Sequence, residues 1–317
     1  MSLVSRIRGR HGASGFGYAS TAEEVTQGLS LHGQNILITG VNSGIGAESA
    51  RVLALRGATI FGAARTQEKA AQATRLLGAN AVPLACELSE PASVRACVST
   101  VKEALRARDS RDSDNKAKLD VILCNAGIMA LPKREVRHGQ ELQLLTNHFG
   151  HFLLVTGLLD QLSERGRVVM VSSVAHEHTP AGGINFDDLT LARNYGPWLA
   201  YGQSKLANLL FARALARRFS GSQRTANALH PGMITTQLLR HASPLAQAAT
   251  AMTNGLLFKT VGEGAATQCY VAAHPSVAGI SGEYFMNSNI ARPSRHGRDQ
   301  ALAERFWEVS ERIATTL

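Results

Sequence analysis

Tyr201 and Lys205 stand four residues apart in the stretch "AYGQSKLANLL". On a helix that spacing stacks both side chains on one face. A free phenol titrates at about pH 10 and gives up its proton reluctantly at neutral pH. A cation close by favours the phenolate and lowers that value. The pair is therefore either an ordinary surface pair or a device that turns tyrosine into a working acid. Ser172 and Ser173 close the apolar run "GRVVMVSS". A serine hydroxyl can hydrogen-bond and polarise a reacting carbonyl oxygen. Side chains alternate along a strand, so only one of the two serines can face a given site. Tyr195 is a rival tyrosine, but its loop contains Gly and Pro and shares no helical register with Lys205.

"TGVNSGIG" (39–46) follows an apolar strand and opens a helix. Gly40, Gly44 and Gly46 supply a tight turn, close backbone approach to a pyrophosphate and tight helix–strand packing. The helix N-terminus adds free N–H groups and a positive dipole end. Strand before and helix after make this a dinucleotide-binding pattern. An NAD site carries an acid at the end of the second strand. Here that strand ends "GAARTQ", and Arg65 stands beyond Ala64 with no carboxylate. Arg65 can pair with a 2′-phosphate, and Ser43 in the loop can add a hydroxyl, which points to NADP(H).

These residues need elements to position them. Buried strands are expected at 35–39, 58–64, 80–85, 119–125, 166–172, 224–230 and 282–286. Helices are expected at 47–56, from the second strand to about Leu77, and over 91–106, 140–163 and 200–219. Residues 108–118 form a charge-dense connection. Seven strands alternating with helices imply a doubly wound, Rossmann-type parallel sheet in one α/β domain. That domain is expected to span 34–317. A basic arm (1–33) precedes it, with no acid before Glu23, compatible with an organelle-targeting segment or a plain arm. The segment 237–259, rich in Leu, Ala and Met, reads as a lid over an apolar substrate or as ordinary helix packing.

Bulk composition narrows the classes. The chain has 317 residues, 44% hydrophobic but only 5% aromatic, which suits helices packed on a parallel sheet. The net charge is +9, yet the Lys and Arg are dispersed, with no basic stripe interleaved with aromatics, so nucleic acid is not an expected partner. Cys86, Cys97, Cys124 and Cys269 form no CxxC pair and read as reduced core residues. No apolar run reaches the roughly 18 residues of a membrane span, so the protein is expected to be intracellular, soluble or peripheral. His176 and His178 in "HEH" read as loop residues and His148 and His151 as packing or polar helix residues. No metal is required.

The chain resembles the short-chain dehydrogenases/reductases. "TGVNSGIG", "NAG" (125–127), Asn147 in "TNHFGHF", "VSS" (171–173), "YGQSK" and "HPGMITT" (230–236) stand in that family's order and approximate spacing. "INFDDL" and the helix around Tyr201 are similar to the retinol dehydrogenase and WW-domain-containing oxidoreductase branch. "GFGYASTAEEVTQGL" and "GAATQCYVAAHP" look closer still to the plant short-chain dehydrogenase of the chloroplast inner-envelope translocon.

The resemblance implies an oxidoreductase that exchanges hydride between NADP(H) and an apolar ketone, aldehyde or alcohol, retinoid-, steroid- or lipid-like. Tyr201 would be the general acid/base, with Lys205 tuning it and reaching the nicotinamide ribose. Ser173, chosen by family register, would hold the substrate oxygen. Asn147 would hold a water relaying protons to Lys205. Gly40, Asn42, Ser43, Gly44, Ile45, Gly46 and Arg65 would bind cofactor, as would Asn125, Ala126, Gly127, Pro231 and Gly232. Thr236 would meet the carboxamide. Glu87-Leu88 stands where the family often has Asp-Leu beside adenine, so the longer acid changes that contact. Family members are often dimers or tetramers. The other reading is an NADP(H)-binding, redox-sensing subunit of a membrane assembly such as an organelle translocon, cytoplasmic or chloroplast-associated.

Overall fold

The computed structural model describes residues 11–78, 81–109, 116–234 and 258–317. Thr236 and most of the expected lid lie outside them.

The strands are β1 (Asn35–Thr39), β2 (Thr59–Ala64), β3 (Val82–Ala85), β4 (Leu119–Cys124), β5 (Val136–Arg137), β6 (Gln140–Glu141), β7 (Leu162–Val171), β8 (Thr225–His230), β9 (Tyr284–Met286) and β10 (Asn289–Ala291). The main sheet runs β10-β9-β8-β7-β4-β1-β2-β3, and β5 and β6 form a separate ribbon. All pairings in the main sheet are parallel except β9 with β10. All five residues of β1 are buried, as expected for a strand covered on both faces.

The principal helices are α1 (Ala22–Val25), α2 (Gly44–Leu55), α3 (Gln67–Thr74), α4 (Pro91–Asp109), α5 (Gly150–Leu158), α6 (Pro197–Arg218), α7 (Val261–Ala273) and α8 (Gln300–Thr316). Helix α4 buries Val94, Cys97, Val101 and Leu105, a single stripe at helical spacing. These residues join Phe149, Leu210, Phe306 and Trp307 in one core, which α5, α6 and α8 share. The other core joins Leu53 of α2 and Ala265 and Tyr270 of α7 to Ile36 and Ile38 of β1. Part of the segment before residue 34 packs there too, through Ala22, Val25 and Leu31. All four cysteines are free and buried. Among the described residues, no helix is long and apolar enough to cross a membrane.

The structure corrects three expectations. The helix expected over 140–163 is broken. Gln140–Glu141 pairs with Val136–Arg137, Leu145–Phe149 is a π-turn, and β7 already begins at Leu162. Glu141 caps the turn that follows by accepting from the Leu144 N–H, so the helix cannot start earlier. The main sheet also has eight strands rather than seven. The additional strand, β10, returns from β9 through Asn287 and Ser288, both at positive φ (52° and 62°). That is a primed hairpin turn built without glycine. The Ser288 N–H is held by Thr267 Oγ1 at 3.1 Å, which helps stabilise the unusual backbone. Finally, the strand expected over 282–286 begins only at Tyr284.

Three of the buried histidines give the fold a marked acid weakness. Burial holds His148 and His230 down at about 3 and His151 at about 4. An unfolded histidine takes up its proton below about pH 6.5. Between that value and the folded values the unfolded chain binds protons that the folded chain refuses, so stability falls as pH falls. Each site contributes up to about 1.4 kcal/mol per pH unit in that window. The buried lysines Lys205 and Lys259, both lowered to about 8, act in a higher window and do not offset this. The urea midpoint is expected to drop steeply from about pH 6.5 to pH 5. A midpoint constant across that range contradicts the assignment.

Candidate active site

The strand order reverses between β1 and β4, so the crevice at the carboxyl ends of these strands is the natural ligand site. Gly40 turns the chain there with φ +77°. A Cβ on Gly46 would stand 2.3 Å from both the Gly40 carbonyl oxygen and Asn125 Nδ2, so only glycine lets α2 close on β4. Asn125 Nδ2 donates to the Thr39 carbonyl at 2.8 Å. The N–H groups of Asn125 and Ala126 both donate to Thr39 Oγ1, at 3.0 and 2.9 Å. These bonds lock "NAG" to the glycine loop.

Helix α6 carries the opening pair. Pro197 occupies its first turn, where a missing N–H costs nothing. Gly202 lets the helix press against the turn after β7, because a Cβ there would lie 1.9 Å from the His178 carbonyl oxygen. Tyr201 and Lys205 are both buried, 6% and 4% exposed, so the surface-pair reading fails. Lys205 Nζ lies 5.6 Å from the Tyr201 ring centroid and donates to the Val171 carbonyl at 2.9 Å. Gly127 covers this lysine: a Cβ on it would lie 3.4 Å from Nζ and 3.0 Å from Asn147 Oδ1.

The two serines diverge. Ser172 Oγ donates to the Lys205 carbonyl at 2.7 Å and faces the helix backbone. The Ser173 hydroxyl lies near enough to the Tyr201 phenol to draw its pKa down, and it accepts from the Ala175 N–H. Tyr195 Oη, by contrast, donates to the Leu131 carbonyl at 2.7 Å.

In the protein alone, electrostatics run against the expected lowering of Tyr201. Burial pushes its phenol up to about 12, and the Ser173 contact pulls only partly back. Burial lowers Lys205 to about 8. The phenol is thus protonated at neutral pH, the form needed to donate a proton.

Asn147 sits in the π-turn, fully buried. Its Oδ1 accepts from the Ile128 N–H at 2.8 Å, and its Nδ2 donates to the Ile128 carbonyl and to Ser204 Oγ, both at 2.9 Å. Leu88 is buried, and its carbonyl oxygen would lie 2.3 Å from a Cβ on Gly150. Glu87 Oε1 accepts from the Ser89 N–H and hydroxyl, which turns the carboxylate into its own loop. Arg65 is exposed just beyond β2, before the Thr66 cap of α3. Pro231 and Gly232 follow β8, with Lys259 packed on Gly232. His176 is buried, with Nδ1 2.5 Å from the Ser173 carbonyl oxygen.

Sequence reasoning missed Thr39, Ser204 and Asn208, whose Nδ2 shares the Val171 carbonyl with Lys205. Thr39 was legible only as the last residue of a strand before a glycine loop. The other two signals require tertiary contacts.

A family model described as short chain dehydrogenase matches residues 34–186. The chain is 39% identical to "Short-chain dehydrogenase TIC 32 B, chloroplastic" of Brassica napus, covering 100% of both chains. The chain belongs to the short-chain dehydrogenase family. It is also 37% identical to human "Retinol dehydrogenase 14", covering 89% of this chain and 86% of that one. Among solved structures, an uncharacterised Mycobacterium paratuberculosis protein aligns with TM-score 0.70 and 32% identity, over 92% of this chain and 97% of that one. The Pseudomonas aeruginosa RhlG/NADP active-site complex aligns with TM-score 0.60 and 25% identity, over 87% and 98%. The short-chain dehydrogenase family accounts for the Rossmann-type sheet and for an oxidoreductase carrying a nicotinamide cofactor.

Proposed function

We propose that this oxidoreductase uses NADP(H) to interconvert an apolar ketone or aldehyde with its alcohol, with Tyr201 as general acid/base. The observation that carries the reading is a buried phenol with a serine hydroxyl on it and an ammonium group beside its ring. The crevice fits the cofactor. Asn125 Oδ1 is buried without a hydrogen-bond partner beside the glycine loop, and α2 points its N-terminal N–H groups into the same space. Gly40, Asn42, Ser43, Gly44, Ile45 and Gly46 would hold the pyrophosphate. Leu88 and Glu87 would lie at adenine, and Asn125, Ala126, Gly127, Pro231, Gly232 and Thr236 along the nicotinamide half. Arg65 would take the 2′-phosphate, in keeping with the absent acid and the NADP-bound relative. When bound, the cofactor supplies or accepts the hydride.

The chain's own residues handle the proton and the oxygen. Ser173 holds the substrate oxygen and polarises it. Tyr201 donates its proton to that oxygen as negative charge develops. The charge on Lys205 stabilises the phenolate left behind. Asn147 keeps Lys205 supplied with protons through an ordered water. Trp198, Val174 and Met233, each at least 40% exposed, stand three residues before Tyr201, directly after Ser173 and directly after Gly232. Trp198 meets the Tyr201 ring edge-on at 6.0 Å. An apolar rim favours retinoid-, steroid- or lipid-like carbonyls over sugars.

The test is NADPH oxidation by the purified protein across a panel of apolar carbonyls, with NADH in parallel. Turnover of at least one, with NADPH preferred, is expected. Tight NADPH binding without turnover of any carbonyl refutes the reading. It would favour the second one, an NADP(H)-sensing subunit of a translocon-like assembly, which the full-length match to the chloroplastic relative supports.

A further inference from the structure

His151 is completely buried, one helical turn after Asn147, and both of its ring nitrogens are engaged. Nε2 lies 2.9 Å from Thr39 Oγ1, and Nδ1 lies 2.9 Å from the Asn147 carbonyl oxygen. The proton positions follow from counting. A threonine hydroxyl has one proton and two acceptor sites. Both acceptor sites of Thr39 are filled by the N–H groups of Asn125 and Ala126. Its proton therefore points to Nε2, so the imidazole carries its own proton on Nδ1 and donates it to the Asn147 carbonyl.

We propose that His151 is a positioning residue that, as a neutral Nδ1–H imidazole, fastens the Asn147 backbone to the end of β1 and thereby fixes Lys205 and Tyr201. The proposal rests on the catalytic reading of Tyr201 given above. The chain of contacts is continuous. It starts at Thr39, next to Gly40 of the cofactor loop, and passes through His151 to Asn147. From Asn147 it reaches Ser204, the neighbour of Lys205, whose hydroxyl also donates to the Tyr201 carbonyl at 2.8 Å. The ends of β1 and β4, the π-turn and α6 are thus set by one imidazole with a single usable tautomer. The cofactor loop cannot shift without moving the groups that handle the proton.

The charge environment enforces the neutral form. Among the described residues the charge of Lys205 from α6 reaches His151, and His151 in turn faces His148 of the π-turn. Burial and the Lys205 charge together hold the imidazole well below its ordinary range, against the pull of the Asn147 carbonyl. A protonated ring would lose its bond from Thr39 and face the ammonium of Lys205.

The experiment compares the full-length protein with His151→Leu and His151→Asn. Leucine fills much of the space but donates nothing, whereas the asparagine Nδ2 can donate to the same carbonyl. His151→Leu is expected to lower kcat about 10- to 100-fold, with KM for the carbonyl and Kd for NADPH changed less than about threefold. The alkaline limb of its kcat profile is expected to move by about one pH unit, and His151→Asn to return it towards wild type. A purely structural histidine would lower the melting temperature in both variants and leave the limb in place, which overturns the proposal. The second readout needs no turnover and no variant that folds well. Ring 15N shifts of His151 in the wild type are expected to report a neutral Nδ1–H tautomer from about pH 5 to 8. An Nε2–H tautomer or an imidazolium in that range overturns the proposal even if no carbonyl is ever turned over. Absence of turnover with the neutral Nδ1–H tautomer present sinks the catalytic reading instead and, with it, the role assigned here.

Discussion

Replacing Tyr201 by phenylalanine is expected to abolish carbonyl reduction while NADPH still binds. The ring is what the fold uses. It packs edge-on against Trp198 and lies beside the Lys205 ammonium, and phenylalanine keeps both contacts. Only the phenol oxygen is lost, and with it the Ser173 contact and the proton that the developing alkoxide needs. Ser173 retains the Ala175 N–H, so no buried hydroxyl is orphaned. A positioned general acid contributes about 10²- to 10⁴-fold, so kcat should fall by at least about 10²-fold. The Kd for NADPH, read from nicotinamide fluorescence, should stay within about threefold, because the phenol does not form the phosphate cradle. Retention of more than a tenth of wild-type kcat would refute the role.

The wild-type pH profile gives the same mechanism a sign. Tyr201, raised to about 12, remains protonated across the neutral range. Lys205, lowered to about 8, begins to lose its charge at mildly alkaline pH. Reduction leaves a phenolate, which the lysine cation stabilises, so the reduction rate should decline as pH rises through about 8.

What the sequence revealed follows from how far apart the interacting residues are. The parallel strands were legible because burial on both faces writes them as continuous apolar runs, as in "NILIT" and "DVILC". The glycine loop was legible because turn, phosphate approach and helix packing all act within eight residues. Tyr201 and Lys205 were legible because a helix converts a spacing of four into one face. Ser172 and Ser173 could not be separated by chemistry. What separates them is that Ser172 meets a carbonyl 33 residues away. The Thr39–His151 bond spans 112 residues, and nothing local in "TNHFGHF" announces it. The π-turn is illegible for a related reason: its apolar residues suit an α-helix equally well, and only the fit of Asn147 against Ile128 and Ser204 distinguishes the two. The opposite shift of Tyr201 has a physical source too. Spacing shows that a cation is near, but not that the phenol is buried deeply enough for desolvation to win.

Arg65→Asp is expected to reverse the cofactor preference from NADPH to NADH. The position decides this. Strand β2 ends at Ala64 and α3 starts at Gln67, so Arg65 stands in the short turn where the adenine ribose of a dinucleotide would lie. A guanidinium there matches a phosphate with parallel charge-assisted bonds, each worth about 1.5 to 3 kcal/mol. An aspartate instead accepts from the ribose hydroxyls of NADH and repels the 2′-phosphate. Loss of a single such bond corresponds to about 10- to 150-fold in Kd for NADPH, and repulsion adds to it. The affinity for NADH should rise over the same comparison, since the substituted acid supplies what the natural site lacks. Arg65 is exposed, so the melting temperature should hold, and a stability loss would not explain the switch. Paired NADPH and NADH titrations of the two proteins measure the effect directly. If Arg65→Asp keeps its NADPH preference, the 2′-phosphate is read elsewhere. The loop hydroxyl of Ser43, at the N-cap of α2, would then be the residue to exchange.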